Sequence, residues 1–435
     1  MPADKNITSR VPGDFVELFK SASVHVLLRL CNAAFITIEA FTRFRPGDSQ
    51  PLNILIVRTG ALGDFLLAIP AMHRLRQAYP AAKLTLLTTA TTDRSTLKTV
   101  NAYSNQGSPW LSIFPANIID EIISFGFSTY LDLISKGRKS IIRRKYDVCF
   151  ILNEGIGLTL AGTAKKIIFM RMLGVGCRIY GIRTRAYPKI FPLVQRGPRR
   201  LEHHVDAIMR SVEENAHVAD TPLPEIYFGI QSSTEAEEWA TAQLAKLLEK
   251  QGTLIVVAPG SRLEFKRWPA EYYTELIIEL LKKPQITIAL VGSGPELETA
   301  LLVEEQYLTM TKNSGALYNL AGKTSIDQLT ALLKHAAVFV GNDGGTCHLA
   351  AAAGCKVVSI SNGAEIPNSV EPWDNQRFTA RFDVPCAPCY SFTFCPKGNN
   401  RCVTGISPDV VLKLVEKALL ESSRLKNQPE SLPKP

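Results

Sequence analysis

A short glycine loop carries the first residue fitted for chemistry. Gly60-Ala-Leu-Gly63-Asp64 follows the apolar run Ile54–Val57, and its two glycines let the backbone turn tightly and come close to a ligand. Asp64 opens the next helical pattern. There it serves either as an N-cap, worth ~1 kcal/mol, or as a carboxylate in a cleft that takes a proton from a hydroxyl. The loop lacks the Gly-x-Gly-x-x-Gly spacing of a dinucleotide fingerprint, and no acid closes the following strand, which argues against a nicotinamide enzyme. A second group lies in Ala258-Pro-Gly-Ser-Arg-Leu-Glu-Phe-Lys-Arg-Trp-Pro269. Ser261 allows close backbone approach, and Lys266 with Arg267 stands just before a helix start, suited to a phosphate or diphosphate or else to a solvated basic loop. In Val291-Gly-Ser-Gly-Pro-Glu296 the acid at position 296 either holds sugar hydroxyls or complements a helix dipole. Gly341-Asn-Asp-Gly-Gly-Thr-Cys-His348 brings Asp343, Gly344, Gly345, Thr346 and His348 to a turn whose free amides make an anion site. Finally, Cys386-x2-Cys389-x5-Cys395-x6-Cys402 has ligand spacing for a structural zinc or an iron–sulfur centre, with free thiols or a disulfide as the other readings. Four ligands would close such a site and leave no open position for catalysis.

These groups need elements to hold them, and the pattern supplies a repeated one. Ile54–Val57, Lys83–Thr89, 146–153, 175–182, 254–260, 286–294, 336–344 and 356–361 read as buried strands. Helical patterns at 65–78, 235–249, 270–282, 296–307, 326–334 and 347–353 fall among them. Strand–loop–helix repetition of this kind predicts two successive doubly wound parallel sheets, with the boundary near 220–252. In such sheets ligands bind where loops leave the carboxyl ends of the strands, which is where the candidate residues fall. Residues 15–44 read as one or two amphipathic helices, either packed on the protein or lying in a membrane interface, and 43–49 as a linker.

The chain of 435 residues has room for two or three cores, and 46% hydrophobic with 20% charged residues excludes a disordered chain, a collagen and a coiled coil. No apolar stretch is long and charge-free enough for a transmembrane helix, and the start lacks a signal-peptide pattern, so the cytoplasm is the expected location. A net charge of +9 favours anionic partners, but the basic residues are spread out, which argues against nucleic acid. Nine unevenly placed cysteines are too sparse for a secreted disulfide scaffold.

Taken in order, the opening Ile54–Pro70 segment, Ala258–Pro269, Asn319-Leu-Ala-Gly-Lys-Thr-Ser-Ile-Asp-Gln-Leu329 and Asn342–Ala352 resemble glycosyltransferase family 9, the ADP-heptose:lipopolysaccharide heptosyltransferases. The likeness spans about residues 52–420. It implies a GT-B architecture: two Rossmann-like domains facing across a cleft, here 51–225 for the acceptor and 226–407 for the nucleotide sugar. A helical extension at 1–50 would precede them. A final helix and tail at 408–435 would follow, the helix packing back on the first domain. By motif match Asp64 is the catalytic base, with Gly60 and Gly63 in the acceptor-side loop. Lys266 lies near the donor diphosphate, Glu296 at the ribose and Asp343 near the donor sugar. Gly344, Gly345, Thr346 and His348, with Ser261, complete the donor site. The family usually has Ser or Thr where this chain has Gly344, and the late cysteine loop looks like one found in some members. The implied reaction is inverting transfer of a heptose or related sugar from an ADP-sugar to a lipopolysaccharide core acceptor, needing no cofactor, at the cytoplasmic face of the inner membrane. The alternatives are a GT-B-like epimerase or hydrolase and a non-catalytic nucleotide-sugar-binding module.

Overall fold

The computed structural model describes residues 53–89, 97–101, 109–125, 145–152, 170–171, 175, 177–180, 202–214, 216, 226–248, 252–312, 315–391 and 393–426. The expected amphipathic extension, the linker after it and the Pro-rich stretch at 220–225 lie outside the described residues. Pro51–Pro435 form one compact unit.

The first sheet contains β1 (Asn53–Val57), β2 (Lys83–Thr89), β3 (Leu97–Asn101), β4 (Glu121–Phe125), β5 (Val148–Ile151) and β6 (Arg178–Tyr180), ordered β3-β4-β2-β1-β5-β6. Ile54 of β1 faces Leu84 on one side and Val148 on the other, so β1 is buried from Ile54 onward, as its unbroken apolar run requires. Pairing is parallel except at the edge, where β3 runs antiparallel to β4. The sequence pattern had marked neither of those two strands.

The second sheet contains β7 (Thr253–Ala258), β8 (Ile286–Leu290), β9 (Leu317–Asn319), β10 (Val338–Asn342), β11 (Lys356–Ile360) and β12 (Thr379–Ala380). Its order is β12-β11-β10-β7-β8-β9, all parallel. Counted from its own first strand this is the 3-2-1-4-5-6 Rossmann order, and the direction of winding reverses between β7 and β10. The crevice beyond the carboxyl ends of those two strands is the place where such sheets bind ligands.

Helices cover the sheets. The single helix expected over 65–78 is two: α1 (Leu62–Leu66) and α2 (Ile69–Ala78). Pro70 has no N–H and its ring excludes the carbonyl four residues back, so α1 cannot run through it. α3 (His204–Glu213) packs on α2, and α4 (Thr234–Leu247) packs on the later α7 (Ile326–His335). α5 (Ala270–Leu281), α6 (Leu297–Thr311) and α8 (Gly345–Ala352) complete the second winding. α9 (Arg401–Thr404) leads into α10 (Pro408–Lys426). The resemblance implied that this last helix crosses to the first domain, but it packs on α5, β10 and β11 of the second sheet. Val411, Val415 and Ala418 of α10 are buried there with Trp268 and Leu280, which fixes its apolar stripe on that side.

One hydrophobic cluster runs through both sheets. It includes Ile54, Phe65 and Trp110 of the first and Leu332, Phe339 and Leu349 of the second. The halves meet where α1 lies against α8, and where the short 3-10 helix Pro109–Ile113 lies against α7.

Candidate functional site

The loop after β1 reaches into the crevice from the first sheet. Gly60 has φ 140°, and a Cβ there would lie 2.8 Å from the Oδ2 of Asp64, so only glycine lets the loop fold over this carboxylate. Ala61 is the N-cap of α1 and Asp64 its third residue, so the carboxylate is not the cap itself. Its Oδ2 accepts the Ala61 N–H at 3.1 Å. Arg58, almost fully buried, donates to the Leu152 carbonyl at 2.5 Å and to the Asp64 carbonyl, and its guanidinium lies 3.9 Å from Oδ1. The carboxylate is thus held from behind, while its side chain keeps 56% exposure toward the cleft.

The second sheet supplies the opposite wall. β10 ends in Asn342, whose side chain ties the switch point together. Its Nδ2 donates to the Pro259 and Gly260 carbonyls at 2.8 and 2.9 Å, and its Oδ1 accepts the Trp268 N–H at 2.9 Å. That links the end of β10 to the whole loop after β7. Asp343 follows. Its Oδ2 accepts from Lys266 Nζ at 3.0 Å and from Asn362 Nδ2 at 3.1 Å. Burial pushes this carboxyl up, but the Lys266 ammonium beside it, together with His348 and Arg381, outweighs that and holds it below the usual carboxylate range. Gly344 is extended, at φ 175°, and Gly345 starts α8, two residues earlier than the pattern predicted, so the first free amides of α8 open into the cleft.

Glycine sets the remaining close approaches. A Cβ on Gly260 would lie 2.4 Å from the Cβ of Glu296, so the loop after β7 rests directly on this acid. Glu296 accepts the Ser293 N–H at 3.3 Å, and burial pushes its carboxyl above the usual value. A Cβ on Gly63 would lie 2.7 Å from the Cδ2 of His348 and 3.3 Å from the Cα of Gly345. α1 and the start of α8 therefore touch. His348 is buried, which favours its neutral form, and its Nδ1 has no partner among the described residues.

These residues line one cleft of about 760 Å³. Asp64 and Gly63 line it from the first half, and Ser261, Lys266, Glu296, Asp343, Gly344, Gly345, Thr346 and His348 from the second. Gly60 stands behind Asp64. Of the candidates other than the cysteines and Arg267, which instead donates to the Ser261 carbonyl, all are thereby brought to one place. Thr324, Ser325 and Leu329, inside the family-like 319–329 segment, also line it. Three further residues had no role assigned from the sequence. Asn342 is one. His204 lines the cleft, and burial pushes its imidazole down to about 4, so it stays neutral. Glu365 is the third. Adjacent to His204, His203 caps α3 through Nδ1 and donates through Nε2 to the Glu371 carbonyl at 2.8 Å. A His-His pair just before an amphipathic helix was the available signal.

Cys386, Cys389, Cys395 and Cys402 are free thiols, and among the described residues no group of three His, Cys, Asp or Glu is arranged to hold a metal ion. Two of the four face backbone amides instead: Cys395 those of residues 397–400, and Cys402 that of Gly363. The other three thiols lie close enough to Cys402 to push it up electrostatically, together with its burial.

The model of the family described as glycosyltransferase family 9 (heptosyltransferase) matches residues 139–396, more than half of the chain. The chain belongs to this family. Lipopolysaccharide heptosyltransferase 3 of Escherichia coli K12 is 25% identical over 308 residues, 68% of this chain and 79% of the relative. A family 9 glycosyl transferase structure from Veillonella parvula superposes with a TM-score of 0.62 at 20% identity, over 85% of this chain and 98% of that one. The structure of E. coli ADP-heptose lipopolysaccharide heptosyltransferase II gives 0.56 at 19%, over 86% and 100%. The fold of this family 9 glycosyltransferase is GT-B, with two α/β sheets on either side of the cleft.

Proposed function

We propose that this glycosyltransferase moves a heptose from an ADP-activated donor to a sugar hydroxyl of a lipopolysaccharide core acceptor, with inversion at the anomeric carbon. The observation that carries the reading is the juxtaposition of Asp64, on the first half, with the Lys266–Asp343 pair and the amide-bearing start of α8 on the second. The names of the relatives favour heptose and the lipopolysaccharide core.

The steps follow from the groups present. The donor diphosphate lies against Lys266 and the first amides of α8, which neutralise charge as it develops on the leaving group. Asp64 Oδ accepts the proton of the acceptor hydroxyl. The freed oxygen attacks the anomeric carbon from the face opposite the diphosphate. The bond from that carbon to the diphosphate oxygen breaks, and ADP leaves with the electron pair. Glu296, which lines the cleft after β8, is assigned to the donor ribose on the resemblance alone. The surplus positive charge suits a phosphorylated glycolipid on an anionic membrane face, which supports peripheral contact with the cytoplasmic side of the inner membrane. Among the described residues no helix is long and apolar enough to cross a membrane.

The test is mass spectrometry of reactions with ADP-heptose and a heptose-free inner-core acceptor. Wild type is expected to add one heptose to the acceptor. Asp64→Asn is expected to lower kcat by about 10²–10⁴-fold, the usual contribution of a general base, with ADP-heptose affinity kept. Retained turnover in that variant would remove Asp64 as the base. Consumption of ADP-heptose without acceptor would point to hydrolysis or epimerisation.

A further inference from the structure

Glu365 is a cleft residue that the reaction above does not use. It lies in the loop after β11, five residues past Ile360. Asn362 pins that loop: its Nδ2 holds Asp343, and its Oδ1 accepts the Ala364 N–H at 2.8 Å. Glu365 lines the cleft with Asp343, Lys266 and Asp64. Its Oε2 is sealed from solvent and has no hydrogen-bond partner among the described residues. A buried carboxyl oxygen left without a partner is costly, and keeping the carboxyl neutral lowers that cost.

Its protonation follows from its surroundings. Burial, with the carboxylates of Asp343, Glu371 and Asp64 facing it, pushes its pKa up to about 8. Lys266 opposes this, but its ammonium is already bound to Asp343. Tyr390, from the loop beyond, adds no negative charge at neutral pH, since burial and Glu365 push its hydroxyl up as well. Glu371 cannot share a proton with Glu365, because it accepts from Arg381 and from the Asn368 and Val370 amides. At neutral pH Glu365 is therefore a neutral acid with one O–H to donate. It faces both the acid beside the leaving group and the base beside the acceptor. The part of the substrates that must lie between those two is the transferred sugar.

We propose that Glu365 is a specificity-determining residue of the donor site, its carboxyl hydrogen-bonding a hydroxyl of the sugar being transferred. The proposal rests on the donor reading given above. It accounts for a sugar-side contact on a wall where Gly344 offers no hydroxyl.

The test uses the full chain, with binding of ADP and of ADP-heptose measured separately, and with kcat/KM for transfer followed from pH 6 to 10. Glu365→Ala is expected to bind ADP as wild type does and to lose about ten-fold or more in ADP-heptose affinity, the scale of one good hydrogen bond. Glu365→Gln keeps an N–H donor. It is expected to stay within a few-fold of wild type at pH 7 and to lack the fall in kcat/KM above about pH 8 that ionisation of Glu365 causes in wild type. A merely structural role would not move that limb. Undiminished ADP-heptose binding by Glu365→Ala, equal loss of ADP and ADP-heptose affinity, or an unchanged alkaline limb in Glu365→Gln would each overturn the proposal. If wild type binds ADP-heptose no more tightly than ADP, the donor reading falls, and this inference with it. If the heptose adds affinity and Glu365→Ala keeps all of it, only this inference falls.

Discussion

At the scale of single residues, Gly344 is instructive because its type is not forced by its backbone. Its φ of 175° is open to any residue, and a Cβ there would come no closer than 3.7 Å to its nearest neighbour, the Asn342 carbonyl oxygen. The glycine therefore leaves room for the hydroxyl side chain usual in the family. Gly344→Ser is expected to fold with an unchanged melting temperature and to bind the ADP-sugar more tightly, by about 0.5–1.5 kcal/mol for one added hydrogen bond. Calorimetric titration reads this, and weaker binding would show that the added hydroxyl meets no donor atom. Asp64, Lys266, Asp343 and His348 were legible because each sits in a glycine-rich loop at a strand end. His204 and Glu365 were not, and Asn342, in the same loop as Asp343, had no role assigned to it. Their roles depend on which loops the second sheet brings side by side, and Glu365 comes to face Asp64 only through tertiary structure. No local spacing encodes that.

At the scale of elements, two contacts control the site. The first is α1 on α8. Gly63 lies inside α1, where alanine is favoured by ~1 kcal/mol on helix propensity alone. Packing decides against it, because the methyl group would meet buried His348 at 2.7 Å and the Gly345 backbone at 3.3 Å. Gly63→Ala is expected to remain folded, to bind ADP, and to lose about ten-fold or more in kcat, since a displacement of 1 Å at a reacting group costs up to ~10²-fold. Steady-state kinetics with saturating donor checks this; unchanged kcat would show that α1 and α8 adjust freely. The second contact is α10 on β11. Glu421 binds Arg377 and lies 2.9 Å from Lys356, and these bonds hold its carboxyl down to about 2. A folded-state value below the unfolded one stabilises the native state at pH values above about 4.5, and this contribution fades as pH falls toward 2. Partly exposed pairs are screened, so the expected loss for Glu421→Gln at pH 7 is about 1 kcal/mol. Denaturation at pH 7 and again near pH 2 should show the two proteins differing at the first and coinciding at the second. The buried strands at the centre of each sheet were legible from unbroken runs such as Leu254–Val257. The antiparallel edge β3–β4 was not, because an edge strand needs no such run, and the break between α1 and α2 was missed although Pro70 marks it.

At the scale of the molecule, the charge of +9 bears on the acceptor more than on the donor. A phosphorylated, multiply charged acceptor approaches through solvent, where attraction is screened within ~8 Å at physiological ionic strength. The kcat/KM for such an acceptor is expected to fall several-fold between 50 and 500 mM NaCl, while ADP affinity, set inside the cleft, changes less. Equal sensitivity of both would remove long-range attraction as the cause. Two doubly wound units were correctly anticipated from the alternation of strands and helices. Their common core was not, because the apolar residues that join them, such as Phe65 and Leu349, look in sequence like ordinary interior positions of separate domains.

That shared core has a consequence for how the enzyme can be divided. A chain severed between the two sheets would leave each fragment with a raw apolar face, one bearing Trp110 and Phe65 and the other Leu332 and Leu349. Each fragment would expose that face to water, and heating the intact protein is expected to melt both sheets in one transition. The halves face one another across the cleft, and the same elements that wall it also carry their common core.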